Sequence, residues 1–236
     1  MAEQKPKLVV LSGAGMSADS GIKTFRDSDG LWEGHHVEEV ATPEGYQKNP
    51  GKVLRFYNER RQNIREAEPN AGHKALVRLE EMYRVTVVTQ NIDDLHERAG
   101  SSRVVHLHGE IFKAQSTQNP NLVVDLGERD IHIGDIAGDG AQLRPHVVWF
   151  GEPVPKIMDA AAEVADAQII LIIGTSMVVY PAASLIDYAP HDAEVYVVNP
   201  DISTMAERHG NIHTVAQKAA EGVPPLVETL LEKAPS

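Results

Sequence analysis

Short apolar runs recur along this chain, and each is continuous rather than alternating: Leu8–Leu11, Val85–Thr89, Val104–Leu107, Val147–Phe150, Ile169–Ile173 and Val195–Val198. A strand that is apolar on both faces needs cover on both faces, the condition inside a parallel sheet flanked by helices. Helical spacing fills several of the gaps. Asn70 is placed to cap a helix carrying Ala75, Leu76, Leu79 and Met82. Asp159–Ala165 and Pro181–Tyr188 also read as helical, and Pro224 and Pro225 open a last helix through Leu226, Leu230 and Leu231. This alternation predicts an α/β fold with a doubly wound parallel sheet.

Two segments interrupt the rhythm, about 27–69 and about 112–143, and they are expected to form a small lobe on the main sheet of a single domain. In the first, Thr42-Pro43-Glu44 is a helix start, Asn49-Pro50-Gly51 a break and Lys52–Glu66 a second helix. The second is polar and dotted with glycine, with one strand expected at Leu122–Asp125. With 236 residues, 42% of them apolar, the chain can bury a sizeable core. No run approaches the ~18 apolar residues of a membrane span, and the polar start lacks a signal-peptide core, so a cytoplasmic protein is expected. The net charge of −12, with no basic stripe, argues against nucleic acid and for a basic or lysine-bearing partner. The absence of cysteine excludes disulfides, thiol nucleophiles and thiolate zinc sites.

The first apolar run feeds Gly13-Ala14-Gly15-Met16-Ser17-Ala18. A glycine turn after a buried strand brings backbone close to a pyrophosphate at a helix start, although it is equally a plain tight turn. The acidic residue that ends the second strand of a dinucleotide fold, about 20 residues on, has no clear equivalent, since Glu38 and Glu39 lie on no evident strand. Phe25 and Arg26 sit in a polar loop, where the guanidinium can pair with phosphate. Gln90, Asn91, Ile92 and Asp93 follow the second apolar run, at the end of a parallel strand where doubly wound folds place ligands; Asp93 can also cap the helix that follows. His108 ends the next run, with Gly109 leaving space beside it, and an imidazole is suited to general-base work near neutrality. Eleven histidines are present, so most are ordinary. Gly174-Thr175-Ser176 and Asn199 lie at two further strand-to-loop junctions.

In this order the motifs resemble the sirtuin family of NAD-dependent protein deacylases, closest in wording to its bacterial class III branch. The carrying residues are Gly13–Ser17, Gly21-Ile22 with Phe25-Arg26, Thr89–Asp93, His106-Leu107-His108-Gly109, Val147–Glu152 and Gly174–Ser176, spread over essentially the whole chain. The resemblance implies a Rossmann-like domain that takes NAD as cofactor and removes acyl groups from protein lysines. It implies that Gly13, Ala14 and Gly15 receive the pyrophosphate, that Phe25 covers the reactive face and that Arg26 lies by the phosphates. Gln90 and Asn91 would hold ribose, Ile92 and Asp93 the nicotinamide amide, and Gly174, Thr175, Ser176 and Asn199 the adenosine side. His108 would be the general base, activating a ribose hydroxyl against an O-alkylamidate, with nicotinamide and O-acyl-ADP-ribose as products. Val148, Phe150, Gly151 and Val178 would flank the acyl-lysine peptide as an added strand.

Tyr57 and Arg60 are one helical turn apart and share a face, where a phenol and a guanidinium make a carboxylate receptor. Spacing alone equally fits a solvated face on which Arg60 and Arg61 pair with Glu59 or Glu66. In class III sirtuins such a Tyr-x-x-Arg pair contacts the carboxylate of succinyl- or malonyl-lysine, and Ala41 matches the small residue that leaves room for the acyl chain. Most sirtuins carry four zinc cysteines in the small lobe; here that stretch reads Phe112–Pro120, so no metal is expected and the lobe must be held by packing and hydrogen bonds. A monomer acting on acylated lysine side chains is expected, with neither nucleic acid nor membrane as a partner. The alternatives are an enzyme that cleaves NAD to transfer ADP-ribose or hydrolyse it, and a non-enzymatic NAD sensor.

Overall fold

The computed structural model describes residues 5–23, 31–32, 34–175, 179–202 and 212–234. It divides into two compact units. One comprises Met1–Gly21, Glu68–Leu107 and Val154–Ser236; the other comprises Ile22–Ala67 and His108–Pro153.

The first unit is a parallel sheet of six strands in the order Ile212–Val215, Glu194–Val198, Ile169–Ile173, Lys7–Ser12, Arg84–Thr89, Val104–His106. Side chains alternate across it. Val9 and Leu11 enter a cluster with Ala160, Ala161, Val164 and Leu185 on one face. Leu8 and Val10 enter a cluster with Leu76, Leu79, Val227 and Leu230 on the other. Both faces are therefore dry, which is why the strands are apolar without alternation. Leu8, Val9 and Val10 are all 0% exposed, and each such side chain contributes about 2 kcal/mol through burial. The chain runs outward from Lys7–Ser12 first to one side and then to the other, so the order reverses at the carboxyl end of that strand. Such a crevice is where doubly wound sheets bind ligands.

Several sequence expectations shift. The Val147–Phe150 run is not part of the parallel sheet. Its strand is Leu143–Val147, antiparallel to Gly109–Ser116, and it stops because Trp149 N–H turns to the Glu152 carboxylate and Phe150 N–H to the Ala41 carbonyl. Pro181–Tyr188 is a 3-10 helix over Ala182–Tyr188. The last helix starts at Ala219, ahead of both prolines, where Gly222 lets its first turn lie against Val198 and Val215. Asn49-Pro50 is a cap and first-turn pair rather than a break, with Asn49 Oδ1 accepting from Lys52 N–H at 3.0 Å and the helix running Pro50–Glu66.

The second unit joins that helix, Val37–Val40 and Pro43–Lys48 to a sheet in the order Val123–Asp125, Gly109–Ser116, Leu143–Val147. Leu54, Ala114, Leu126 and Ile131 form its small core. Polar staples from Pro50–Glu66 hold the glycine-dotted stretch. Asn58 donates from Nδ2 to the Ile131 carbonyl at 3.0 Å and accepts from Ile131 N–H at 3.1 Å. Arg61, fully buried, donates from Nε to the Ile111 carbonyl at 2.9 Å and from Nη1 to Asn58 Oδ1 at 2.8 Å. Asn58→Ala leaves the Ile131 groups and a buried guanidinium short of partners, and should lower unfolding stability by about 2 kcal/mol in urea titrations. A chelator should leave the wild-type midpoint unchanged.

Candidate active site

In the first unit two turns meet at the reversal point of the sheet. Gly15 N–H donates to the Gly174 carbonyl at 2.8 Å, and Gly13 N–H to the Ile173 carbonyl at 3.0 Å. A Cβ on Gly174 would lie 2.3 Å from Met16 N, and one on Gly15 would lie 2.7 Å from Gly174 Cα, so neither turn tolerates a side chain there. The amides of Gly13 and Gly15 are thus spent on the sheet rather than offered to a pyrophosphate; Ala14 lies between them, exposed.

Asn91 and Asp93 are held against this turn. Asn91 is 8% exposed; its Nδ2 donates to the Gly13 carbonyl at 3.1 Å and to Ser17 Oγ at 3.0 Å, while its backbone N–H reaches Thr89 Oγ1 at 3.0 Å. Both amide hydrogens are committed, so Asn91 offers a ligand its acceptor, Oδ1. Ser17 hydrogen bonds in turn to the Asp93 carboxylate, which also accepts from Leu95 N–H at 3.2 Å. Asp93 thus receives the first amide of the helix Leu95–Ala99, whose N-cap position is Asp94 rather than Asp93, and burial raises its pKa, offset only in part by those bonds and the nearby His106. Gln90 Nε2 donates to Thr175 Oγ1 at 3.3 Å, and half-buried Ile92 joins Asn91 to Asp93. Asn199 is buried and donates to the Asp201 carbonyl. Phe25, Arg26, Ser176 and Val178 lie outside the described residues.

The second unit gathers another group. His108 sits on the turn after Val104–His106 rather than at the strand's end, half-buried, its carbonyl accepting from Val148 N–H at 2.9 Å. Gly109 has φ +81°, and a Cβ there would lie 2.1 Å from the His146 carbonyl oxygen. Tyr57 and Arg60 are 0% and 5% exposed, which rules out the solvated-face reading. The Arg60 guanidinium lies 4.3 Å from the Trp32 ring centre. Tyr57 Oη accepts from Trp149 Nε1–H at 3.0 Å, and burial pushes the phenol pKa well above its ordinary value. Phe150 N–H donates to the carbonyl of buried Ala41 at 2.9 Å, while the side chain of Phe150 and Gly151 are exposed. Arg144 clamps this segment. It makes a two-pronged ion pair with Glu152 at 2.6 and 2.9 Å, donates to the Val147 carbonyl at 2.8 Å and stacks 3.4 Å from the Trp149 ring centre.

Sequence reasoning passed over Ser17 and Trp149. Both lay inside quoted motifs, but a serine in a turn and a tryptophan in an apolar run carry no signal for hydrogen bonds to distant residues. Among the described residues no group of three or more histidines and carboxylates is arranged to hold a metal, and no helix is long and apolar enough to cross a membrane.

A model of the Sir2 family matches residues 13–181. The chain belongs to the Sir2 family. A Helicobacter pylori protein named NAD-dependent protein deacylase is 52% identical over 227 residues, covering 96% of this chain and 98% of its own length. A Bacteroides thetaiotaomicron protein of the same name is 53% identical over 230 residues, with 95% and 97% covered. A solved Sir2 homologue–NAD complex superposes with a TM-score of 0.84 at 37% identity, over 98% of this chain and 91% of that one. An ADP-ribose complex of a Sir2 homologue variant gives 0.85 at 38%, over 97% and 93%.

Two further histidines are buried in the first unit. His73 and His96 are 0% and 1% exposed, their rings 4.9 Å apart, and His96 Nε2 is 3.0 Å from Ser12 Oγ. Burial lowers the His73 pKa from 6.5 to about 4. The folded chain holds the ring neutral while the unfolded chain protonates it, so its contribution to stability is complete above 6.5 and is lost as pH falls toward 4. Unfolding free energy should drop by up to roughly 3 kcal/mol over that interval, and His73→Phe should flatten the drop in urea midpoints measured across it.

Proposed function

We propose that this Sir2 family chain is an NAD-dependent protein-lysine deacylase that removes acetyl groups and also succinyl and malonyl groups. The observation that carries the reading is the Asn91–Ser17–Asp93 chain of hydrogen bonds, buried against the glycine turn at the reversal point of a parallel sheet. It fits NAD chemically. Asn91 presents an acceptor to ribose or water hydroxyls, and Asp93 presents an acceptor to a carboxamide NH2. NAD supplies the anomeric carbon that the acyl oxygen attacks as nicotinamide leaves.

The chain's residues then have distinct tasks. Asp93, with the backbone at Ile92, orients the nicotinamide amide. Asn91 orients ribose and water, and Gln90 binds ribose. His108 takes the proton from a ribose hydroxyl as that oxygen bonds to the former acyl carbon; addition of water then frees lysine and O-acyl-ADP-ribose. Ala14, Phe25 and Arg26 attend the phosphates, with Gly13 and Gly15 shaping the turn rather than offering their amides, and Gly174, Thr175, Ser176 and Asn199 attend the adenosine. Val148, Phe150, Gly151 and Val178 flank the peptide, with Ala41 leaving room for the acyl chain. Buried Tyr57 and Arg60 supply a neutral phenol and a guanidinium for an acyl carboxylate. The relatives' name supports the general activity; the buried receptor supports the acyl preference.

Incubation with NAD and a succinyl-lysine peptide should yield nicotinamide and O-succinyl-ADP-ribose by mass spectrometry. Equal nicotinamide release without peptide would instead mark an NAD hydrolase. His108→Ala should abolish deacylation while NAD binding stays measurable by calorimetry. Arg60→Met should cut kcat/KM for succinyl-lysine by about 30-fold more than for acetyl-lysine, since it strips the cation from a buried carboxylate. Equal losses would remove Arg60 from acyl recognition.

A further inference from the structure

His106 opens the His-Leu-His-Gly motif, yet the proposed reaction gives it no task. It ends the strand Val104–His106 in the first unit, its side chain 8% exposed. Nδ1 is 3.0 Å from the backbone carbonyl oxygen of Asn91, and Nε2 is 2.7 Å from Glu97 Oε1. A neutral imidazole donates from one nitrogen only. A peptide carbonyl and a carboxylate both only accept, so the ring that satisfies both is the imidazolium. Among the described residues Asp93 and Asp94 on the adjoining loop and His96 on the helix that carries Glu97 act on it electrostatically, and Arg98 on that helix lies 3.8 Å from Asp94.

The bond to Asn91 completes a set. The Asn91 N–H is tied to Thr89, its side chain to Gly13 and Ser17, and its carbonyl to His106. That carbonyl belongs to the peptide plane leading to Ile92, so holding it fixes the approach of the backbone to Asp93. The charge on His106 also acts directly on the Asp93 carboxylate.

We propose that His106, clamped between Glu97 and the Asn91 carbonyl, is a positioning residue whose proton sets the Asn91–Asp93 segment for the nicotinamide end of NAD and makes NAD affinity depend on pH. The inference rests on the reading that this segment receives nicotinamide riboside. While the ring is protonated, both hydrogen bonds and the positive charge are present. As pH rises through its titration, one bond and the charge are lost, and NAD binding weakens.

The test uses the full chain and its His106→Gln and Glu97→Gln variants, with KM for NAD and kcat followed from about pH 6 to about pH 9. NAD and ADP-ribose binding are measured by calorimetry in parallel. In the wild type KM for NAD should climb about tenfold with pH while kcat changes much less. His106→Gln should show a raised and flat KM. Glu97→Gln should move the climb to lower pH, because the anion that retains the proton is gone. ADP-ribose, which keeps the ribose but has no nicotinamide, should lose clearly less affinity than NAD in the variants. A wild-type KM and profile in His106→Gln, or an unmoved profile in Glu97→Gln, overturns the proposal. Parallel loss of ADP-ribose and NAD affinity also overturns it, by showing that His106 only supports the fold. A wild type that binds neither nucleotide overturns the NAD reading itself, and this inference with it.

Discussion

The close approach of two backbones, at Gly15 and Gly174, governs the first unit's chemistry. It closes the glycine turn onto the next strand's end and fixes where Ser17 and Thr175 stand. Ser17 then meets Asn91 and Asp93, and Thr175 meets Gln90. Polar groups this deep are tolerable only when their partners are fixed in advance, and here the partners are set by backbone rather than by mobile side chains. A methyl group at either glycine would separate the turns and leave that network without its foundation.

The histidines of this unit divide by environment. Among the described residues no carboxylate compensates a charge on buried His73 or His96, and burial lowers both. His106 lies nearby, with Glu97 on one nitrogen and a carbonyl on the other. The same side chain is thus held neutral in one place and set between two acceptors in another. The difference is the partner, since all three are largely removed from water.

The parallel sheet was legible because a strand covered on both faces must be apolar throughout, as Leu8–Leu11 and Ile169–Ile173 are. The same signal misplaced Val147–Phe150, because a continuous apolar run says that a segment is covered and not by what. Caps were readable where the bond is local: Asn70 accepts from Gly72 N–H at 2.9 Å, and Thr42 from Gly45 N–H at 3.0 Å. Long-range pairings were not. Nothing near Asn58 in the chain announces Ile131, and nothing near Trp149 announces Tyr57. For Tyr57 and Arg60, helical spacing gave the shared face, but only packing against Trp32 and Trp149 tells which way that face turns.

The bond from Trp149 to Tyr57 makes the phenol a one-way group. Its oxygen already receives the indole proton, and burial keeps its own proton in place. What it can still give is a single hydrogen, and Arg60 beside it carries donors alone. If the pair receives an acyl end as proposed, one that arrives with lone pairs is welcomed, whereas a hydroxyl or ammonium arriving proton-first meets protons. Selectivity of this kind would lie in the direction of hydrogen bonds, and would persist even where size and charge admit the wrong guest.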